Sequence, residues 1–368
     1  RITGMTGGGQ LSHRNIIING AMTVAQVGTS GNMGIRLVDR FGFFGTGQDE
    51  TPTQAQADVA SGTTPYTLGF RKCLKMTNGN QTSGAGAADR LFTTYAVEAQ
   101  DLATSGWNYT SSSSYVTLSF WVKSSVAQTF HGYLSTQDGT QQGYSFETGS
   151  LTANTWTKVT KTIPGNSNIT IDNDNGSGLS MIIGVYWGTN YTDAGNTMNQ
   201  WAAYSGSSRM PDNTTTWYTT NDATFEFTGV QLEVGDTATS FEHRSIGEEL
   251  HRCQRYFYMC ADGTRGKSGT NRAPICTGAM YNSSNFNGVV NFPVEMRTTP
   301  SLYKIVGSGY FRIWGNGGSD GCNDVVLEGS SPQCGIANIY DDLSQTSGSA
   351  TWATTDNAAC RLGFQAEL

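Results

Sequence analysis

The stretch from Phe225 to Val234 reads FEFTGVQLEV, and its hydrophobic pattern leaves few options. Phe225 and Phe227 alternate with polar neighbours, as one face of a half-buried strand does. The apolar set then resumes at Val230, Leu232 and Val234, one residue out of phase, with Gly229 at the slip. A chain that keeps both halves on one core must carry a bulge or sharp twist at Gly229. After a Gly235-Asp236 turn, Ser245 stands three residues before Glu248. That spacing lets an N-cap hydroxyl and an N3 carboxylate satisfy each other's orphan backbone donors, so it predicts a helix starting near Ile246.

Other segments carry the same two-residue period. In Tyr115 to Lys123, Val116, Leu118, Phe120 and Val122 share one face, and Trp121 lies on the other. In Phe130 to Leu134 the apolar face is Phe130 and Leu134, with His131 and Tyr133 opposite. In Leu179 to Trp187 the expected core set is Leu179, Met181, Ile183, Val185 and Trp187, leaving Ile182 and Tyr186 opposite. Asn15 to Ala25 reads as a short Ile-rich strand with a turn at Gly20 and Phe70 to Met76 as a strand, while the periodicity of Asp89 to Leu102 is too weak to decide whether a strand there passes into a helical turn over Ala96 to Leu102. Regular strands with two apolar faces argue for a sandwich. The expected class is all-β: a jelly-roll β-sandwich, a short linking helix and a second small β-sandwich-like domain. The expected boundaries are 1–14 for a Gly-rich linker or arm, 15–244 for the jelly roll, 245–258 for the helix and 259–368 for the C-terminal β domain.

Composition supports this and excludes several functions. Only 14% of the 368 residues are charged, against about 25% in a typical domain, and there are 46 glycines. The net charge is −7 with no block of Lys or Arg, which argues against a phosphate-tracking nucleic-acid surface. No apolar run reaches the roughly 18 residues a spanning helix needs, and no basic-then-apolar leader opens the chain. Starting at Arg1 rather than Met, the sequence is expected to be a processed or partial product. The cysteines at Cys73, Cys253, Cys260, Cys276, Cys322, Cys334 and Cys360 include no C-x-x-C pair. They read as free, mostly buried thiols made in a reducing cytoplasm rather than as zinc ligands.

The Phe225 to Tyr258 stretch, with NIIINGAMTVAQVGTS at Asn15 to Ser30, VDRF at Val38 to Phe41, VTLSFWVKSS at Val116 to Ser125 and NTWTKVTKTIPG at Asn154 to Gly165, resembles a family of tailed-bacteriophage virion proteins, the tail fibres and related appendages. Val289, Val290, Phe292, Pro293 and Met296 resemble a segment of the terminal domains of the same proteins. The resemblance implies a carbohydrate-binding-module-like jelly roll and a surface appendage of the virion, synthesised in the host cytoplasm. It also implies a homotrimer whose partners are other virion proteins and a host surface glycan or receptor.

Candidate residues were weighed against plainer roles. Trp121, His131, Tyr133 and Tyr186 lie opposite the core sets of three strands, and such faces can line up across one concave sheet where sugar C–H faces stack on aromatic rings. Burial beneath the 189–221 loop is the competing reading. Tyr191, Trp201, Tyr204, Trp217 and Tyr218 lie in that loop and are recognition candidates on a rigid β scaffold. His13, His131, His243 and His251 are scattered, and no nucleophile motif accompanies them. Asp172, Asp174, Asp193, Asp212 and Asp222 could flank a scissile glycosidic bond, but in Asn- and Gly-rich loops they read as turn formers. The Asp172, Asp174 and Asn175 run lacks the Glu that would close a calcium loop, so no metal and no cofactor is assigned. The expected function is that of a non-enzymatic virion structural protein, a tail fibre or similar appendage, that attaches to a host surface glycan or receptor. The alternatives are a capsid decoration or head-fibre protein with only virion contacts, and a glycan depolymerase.

Overall fold

A computed structural model of the protein describes residues 13–315 and 317–368, so residues 1–12 of the expected arm lie outside the described residues. The chain divides into two compact units, one ending at Glu249 and one running from Leu250 to Glu367.

Among its described residues the first unit contains twelve strands. They are β1 (Ser30–Asn32), β2 (Gly42–Thr46), β3 (Thr53–Asp58), β4 (Lys72–Thr77), β5 (Arg90–Glu98) and β6 (Tyr115–Ser124), then β7 (Thr129–Thr136), β8 (Gln142–Ser150), β9 (Thr157–Pro164), β10 (Ser177–Trp187), β11 (Trp201–Ala203) and β12 (Thr224–Val234). Two one-turn helices, α1 (Thr64–Thr67) and α2 (Ala99–Ala103), interrupt them. The strands form two six-stranded antiparallel sheets, ordered β1-β3-β4-β12-β6-β9 and β11-β8-β7-β10-β5-β2, a jelly-roll sandwich. Between the sheets lies one core in which Val116, Leu118, Phe120 and Val122 of β6 are fully buried, the face that alternation assigns to it.

The slip in β12 is a bulge. Its register against β6 shifts between Thr228 and Gln231, and Gly229 has φ +66°. The extra residue keeps Phe225, Phe227, Val230 and Leu232 all in the core. It also changes the neighbour of β12. Thr224 to Phe227 pair with β4, whereas beyond the bulge the Val230 N–H donates to the Gly20 carbonyl at 2.9 Å and the Leu232 carbonyl accepts from the Ile16 N–H at 2.9 Å.

The segment from Asn15 to Ala25 is therefore not the strand its isoleucines suggest. The Asn15 side chain accepts from the N–H groups of Ile17 and Leu232 and donates to the Val230 carbonyl. The Asn19 side chain bridges Val24 and Asp39. Asn19 and Met22 adopt left-handed backbone conformations. Side-chain amides replace the ladder, as Asn does where it competes with regular structure. The Arg244 side chain ties this segment to the helix start, donating to the carbonyls of Ile17 and Asn15 and pairing with Glu242 at 3.1 Å and Glu249 at 3.6 Å.

The helix α3 (Ile246–Gln254) begins where predicted, and the Glu248 N–H donates to the Ser245 hydroxyl at 3.2 Å. It ends before residue 258, because Phe257 and Tyr258 already open the next strand.

The second unit holds β13 (Phe257–Asp262), β14 (Pro274–Met280), β15 (Asn285–Asn291), β16 (Ser301–Ile305) and β17 (Phe311–Gly315), then β18 (Gly318–Cys322), β19 (Asp324–Ser330), β20 (Cys334–Tyr340), β21 (Ala350–Thr355) and β22 (Arg361–Gln365). A three-stranded sheet, β13-β22-β16, and a seven-stranded sheet, β18-β17-β21-β14-β15-β20-β19, enclose Phe286, Phe311, Ile313, Val325, Ile339, Leu362 and Phe364. None of the seven cysteines, all of them described, is joined in a disulfide. Burial pushes the thiols of Cys73, Cys260, Cys276 and Cys360 up to about 12, with Glu226 adding to the effect at Cys73.

Candidate functional site

The sheet containing β5, β7 and β10 turns an aromatic face away from the core, and a second bulge creates it. The register of β10 against β5 shifts between Gly184 and Tyr186, so Val185 and Tyr186 both enter the core and Trp187 emerges on the outer face. Strict alternation had placed these two aromatics the other way round. The Trp187 indole lies over Gly184, where a Cβ would fall 2.4 Å from indole Cδ1. Only glycine leaves that space.

Around Trp187 the rings pack in offset and edge-on geometries. Phe92 from β5 stacks on it at 4.8 Å and 27°, Tyr191 meets it edge-on at 5.5 Å, and Tyr133 from β7 does so at 6.3 Å. Tyr204 lies 6.1 Å from Tyr133, and Ile182 and Met210 complete the cluster. Trp187, Tyr133 and Met210 are buried, while Phe92, Tyr191 and Tyr204 keep part of their surface in solvent.

Two arginines enter the same cluster. The Arg90 guanidinium lies 5.1 Å from the centre of the Tyr191 ring and 5.7 Å from those of Phe92 and Trp187. That of Arg209 lies 4.9 Å from Trp187, 5.0 Å from Tyr191 and 5.8 Å from Tyr204. Arg209 also fastens the loop, its Nε donating to the Tyr204 hydroxyl at 2.8 Å and its backbone N–H to the Tyr191 carbonyl at 3.1 Å. Two donors stay unanswered among the described residues: Arg209 Nη1 and Trp187 Nε1 are buried without a hydrogen-bond partner. Burial drives the Tyr133 phenol far above its ordinary pKa, Tyr204 adds to this and Arg209 opposes it. His131 stands at the margin, its Nδ1 3.4 Å from the Asn213 amide, whose oxygen accepts from the Trp187 backbone N–H. Burial lowers its pKa against the opposing pull of Glu147.

The nine aromatic and histidine candidates separate into three places. Tyr133, Tyr191 and Tyr204 join the Trp187 cluster, with His131 beside it. Trp121 belongs to the other sheet, on β6, against Val59, Phe70 and Cys73 with Trp156 and Phe241 nearby. Tyr186 is in the core, stacked on Tyr218 at 4.4 Å and 25°. Trp217 and Trp201 are also core residues, and the Trp201 Nε1 donates to the Pro164 carbonyl at 2.7 Å, linking β11 to β9 at the sandwich edge. The expectation that Trp121, His131, Tyr133 and Tyr186 line one concave sheet is therefore corrected: consecutive strands β6 and β7 belong to opposite sheets, and the bulge reverses Tyr186.

Sequence reasoning missed Trp187, Phe92, Arg90 and Arg209. One signal was available, because Arg209 is the only Lys or Arg between Lys161 and Arg244. It also missed Trp314 and Trp352 in the second unit. They stand directly opposite on β17 and β21, 6.1 Å apart with planes at 9°, and Trp352 is 49% exposed. Arg272 lies over Trp314 at 4.6 Å, and Asp356 pairs with both Arg272 and Arg312.

Two of the five loop carboxylates make turns. Asp174 and Asp193 each accept from the N–H two residues on, and Asp212 accepts from the Thr192 hydroxyl. Among the described residues no three His, Cys, Asp or Glu side chains converge as metal ligands.

No protein-family model and no curated protein matches the chain. Solved structures with a distant likeness include the enzymatically active domain of bacteriophage CBA120 tailspike protein 4, at 11% identity and TM-score 0.32 over 60% of this chain and 21% of that one. Another is the N-terminal cellulose-binding domain of Cellulomonas fimi β-1,4-glucanase C, at 10% identity and TM-score 0.27 over 58% of this chain and 97% of that one. A third is a family 11 carbohydrate-binding module from Clostridium thermocellum in complex with a mixed-linked tetrasaccharide, at 12% identity and TM-score 0.26 over 59% and 99%.

Proposed function

We propose that the protein is a non-enzymatic structural component of a tailed-phage virion, a tail fibre or similar surface appendage, that attaches to a host surface glycan through the Trp187 cluster. The observation that carries this reading is the set of partly exposed rings of Phe92, Tyr191 and Tyr204, held in fixed orientation on a rigid sheet by Trp187 and two guanidiniums. Pyranose C–H faces stack on such rings, and a locked ring loses little entropy on binding. The sequence resemblance to virion appendages supports the setting. A homotrimer suits the second unit, whose outer sheet face exposes Val289, Val326, Ile336 and Trp352. That same face favours a second reading, a head-decoration protein with virion contacts alone.

The test is a titration of the isolated protein, its assembly checked by light scattering, against whole bacteria and purified surface polysaccharides. Tyr191→Ala is expected to lower glycan affinity at least tenfold with the melting temperature nearly unchanged, and Trp121→Ala to leave affinity alone. Equal binding by parent and Tyr191→Ala removes the site, and absence of any binding to cells transfers the case to the decoration reading. A monodisperse monomer refutes the trimer.

A further inference from the structure

The arginines of the cluster meet rings rather than carboxylates. Several other arginines drawn in from solvent meet a carboxylate: Arg244 meets Glu242 and Glu249, Arg272 and Arg312 meet Asp356, and Arg361 meets Asp262. Arg90 and Arg209 have no carboxylate within ion-pair distance among the described residues. The Arg90 guanidinium makes one hydrogen bond among the described residues, from Nε to the Thr46 hydroxyl at 3.2 Å. Arg209 uses Nε on Tyr204 and leaves Nη1 buried with no acceptor. The acidic side chains of the 189–221 loop are already engaged, Asp193 by the Gly195 N–H and the Ser208 hydroxyl, Asp212 by the Thr192 hydroxyl. In a chain of net charge −7, two uncompensated guanidiniums beside one tyrosine ring make a local positive site.

We infer that the Trp187 cluster takes an acidic saccharide, with the sugar ring on Tyr191 and its carboxylate or sulfate ester received by Arg209 and Arg90. The inference rests on the glycan-binding reading above and narrows its ligand class. Guanidinium presents paired donors that match the two oxygens of a carboxylate or sulfate, and charge-assisted bonds of this kind are the strong ones. An anionic group supplies the acceptor that Arg209 Nη1 lacks, and a buried charged donor gains most from receiving one. The aromatic faces already stacked on both cations hold the forks in place before the ligand arrives.

The experiment uses the full chain and two matched pairs of probes: polygalacturonate with its methyl ester, and dextran sulfate with dextran. The expected result is that the charged member of at least one pair binds tenfold or more tightly than its neutral partner, and that added salt weakens this binding. Arg209→Gln and, separately, Arg90→Gln are expected to abolish the preference, while Arg272→Gln in the second unit keeps it. Arg90→Gln guards the test against a loop that fails to fold without Arg209. Equal binding of charged and neutral probes, with Tyr191→Ala still destroying it, overturns the acidic class and leaves the glycan reading standing. A preference that survives both arginine substitutions also overturns it, since the cations then only pin the loop. Binding to none of the probes, nor to any polysaccharide of the wider panel, overturns both.

Discussion

Gly229→Ala tests the bulge on which the first unit is built. At φ +66° an alanine sits in the left-handed region, which costs about 1–2 kcal/mol for a residue with a Cβ. The new methyl carbon would also fall 2.6 Å from Phe70 Cζ, with two further ring carbons at 3.0 and 3.2 Å. Phe70 is itself buried and held by Phe241, edge-on at 4.9 Å, so it has little room to retreat. Overpacking of this kind costs about 1–3 kcal/mol. Together the two terms destabilise by about 2–5 kcal/mol, and for a unit of this size each kcal/mol lowers the melting temperature by about 2–4 °C. Gly62 separates the terms: its φ is +83° and no atom lies within 4 Å of its would-be Cβ, so Gly62→Ala reports the backbone cost alone. Thermal melts of parent, Gly62→Ala, Gly229→Ala, Phe70→Leu and the Gly229→Ala/Phe70→Leu double variant form a complete set, with favourable coupling expected in the double variant. If Gly229→Ala melts no lower than Gly62→Ala, Phe70 does not close over the bulge. If it melts with the parent, the residue does not occupy the left-handed region and the register shift is misplaced.

Ser245→Ala is expected to cost about 0.5–2 kcal/mol by unpairing the Glu248 N–H, with Glu248→Ala costing less; thermal melts that overlay the parent refute the cap. Glu242 carries an acid dependence. Burial pushes its carboxyl up, but the Asn15 N–H at 2.8 Å, Arg244 at 3.1 Å and the His13 N–H outweigh this and hold it below its ordinary 4.5. A depressed folded-state value contributes stability that is present above the unfolded value and lost as pH falls through the folded one. Melting the parent and Glu242→Gln between about pH 6 and pH 3 should show the parent losing the larger share, and parallel acid limbs refute it.

Why one bulge was legible and the other was not follows from the residues around each. In β12 the apolar positions on either side of Gly229 are separated by polar ones, so a slip of one residue is visible as a change of phase. In β10 the run Val185, Tyr186, Trp187 is apolar throughout, and a tyrosine and a tryptophan can exchange faces without disturbing any pattern. The face of Trp121 was readable, but its sheet was not, because sheet membership depends on pairing with β9 and β12, the latter about a hundred residues away. The Asn15 to Ala25 segment misled for a local reason. Ile17 and Ile18 are buried as strand residues would be, yet Asn15 and Asn19 supply the hydrogen bonds that a neighbouring strand would otherwise have provided.

The second bulge also joins the fold to the candidate site. By turning Tyr186 inward it gives Tyr218 a stacking partner and anchors the end of the long loop in the core, where Trp217 donates through Nε1 to the Thr224 carbonyl at the mouth of β12. By turning Trp187 outward it gives the beginning of the same loop, Tyr191 to Met210, a floor to pack on. One inserted residue thus fixes both ends of a segment that has little regular structure of its own. The middle of that segment pairs with β8 through β11 and sends Trp201 into the core, so Tyr191, Tyr204 and Arg209 on the outer face can change without touching the β12 register or the buried face of β6. A binding surface arranged this way separates what it recognises from what keeps it folded, and the arginine substitutions should therefore alter ligand preference more than melting temperature.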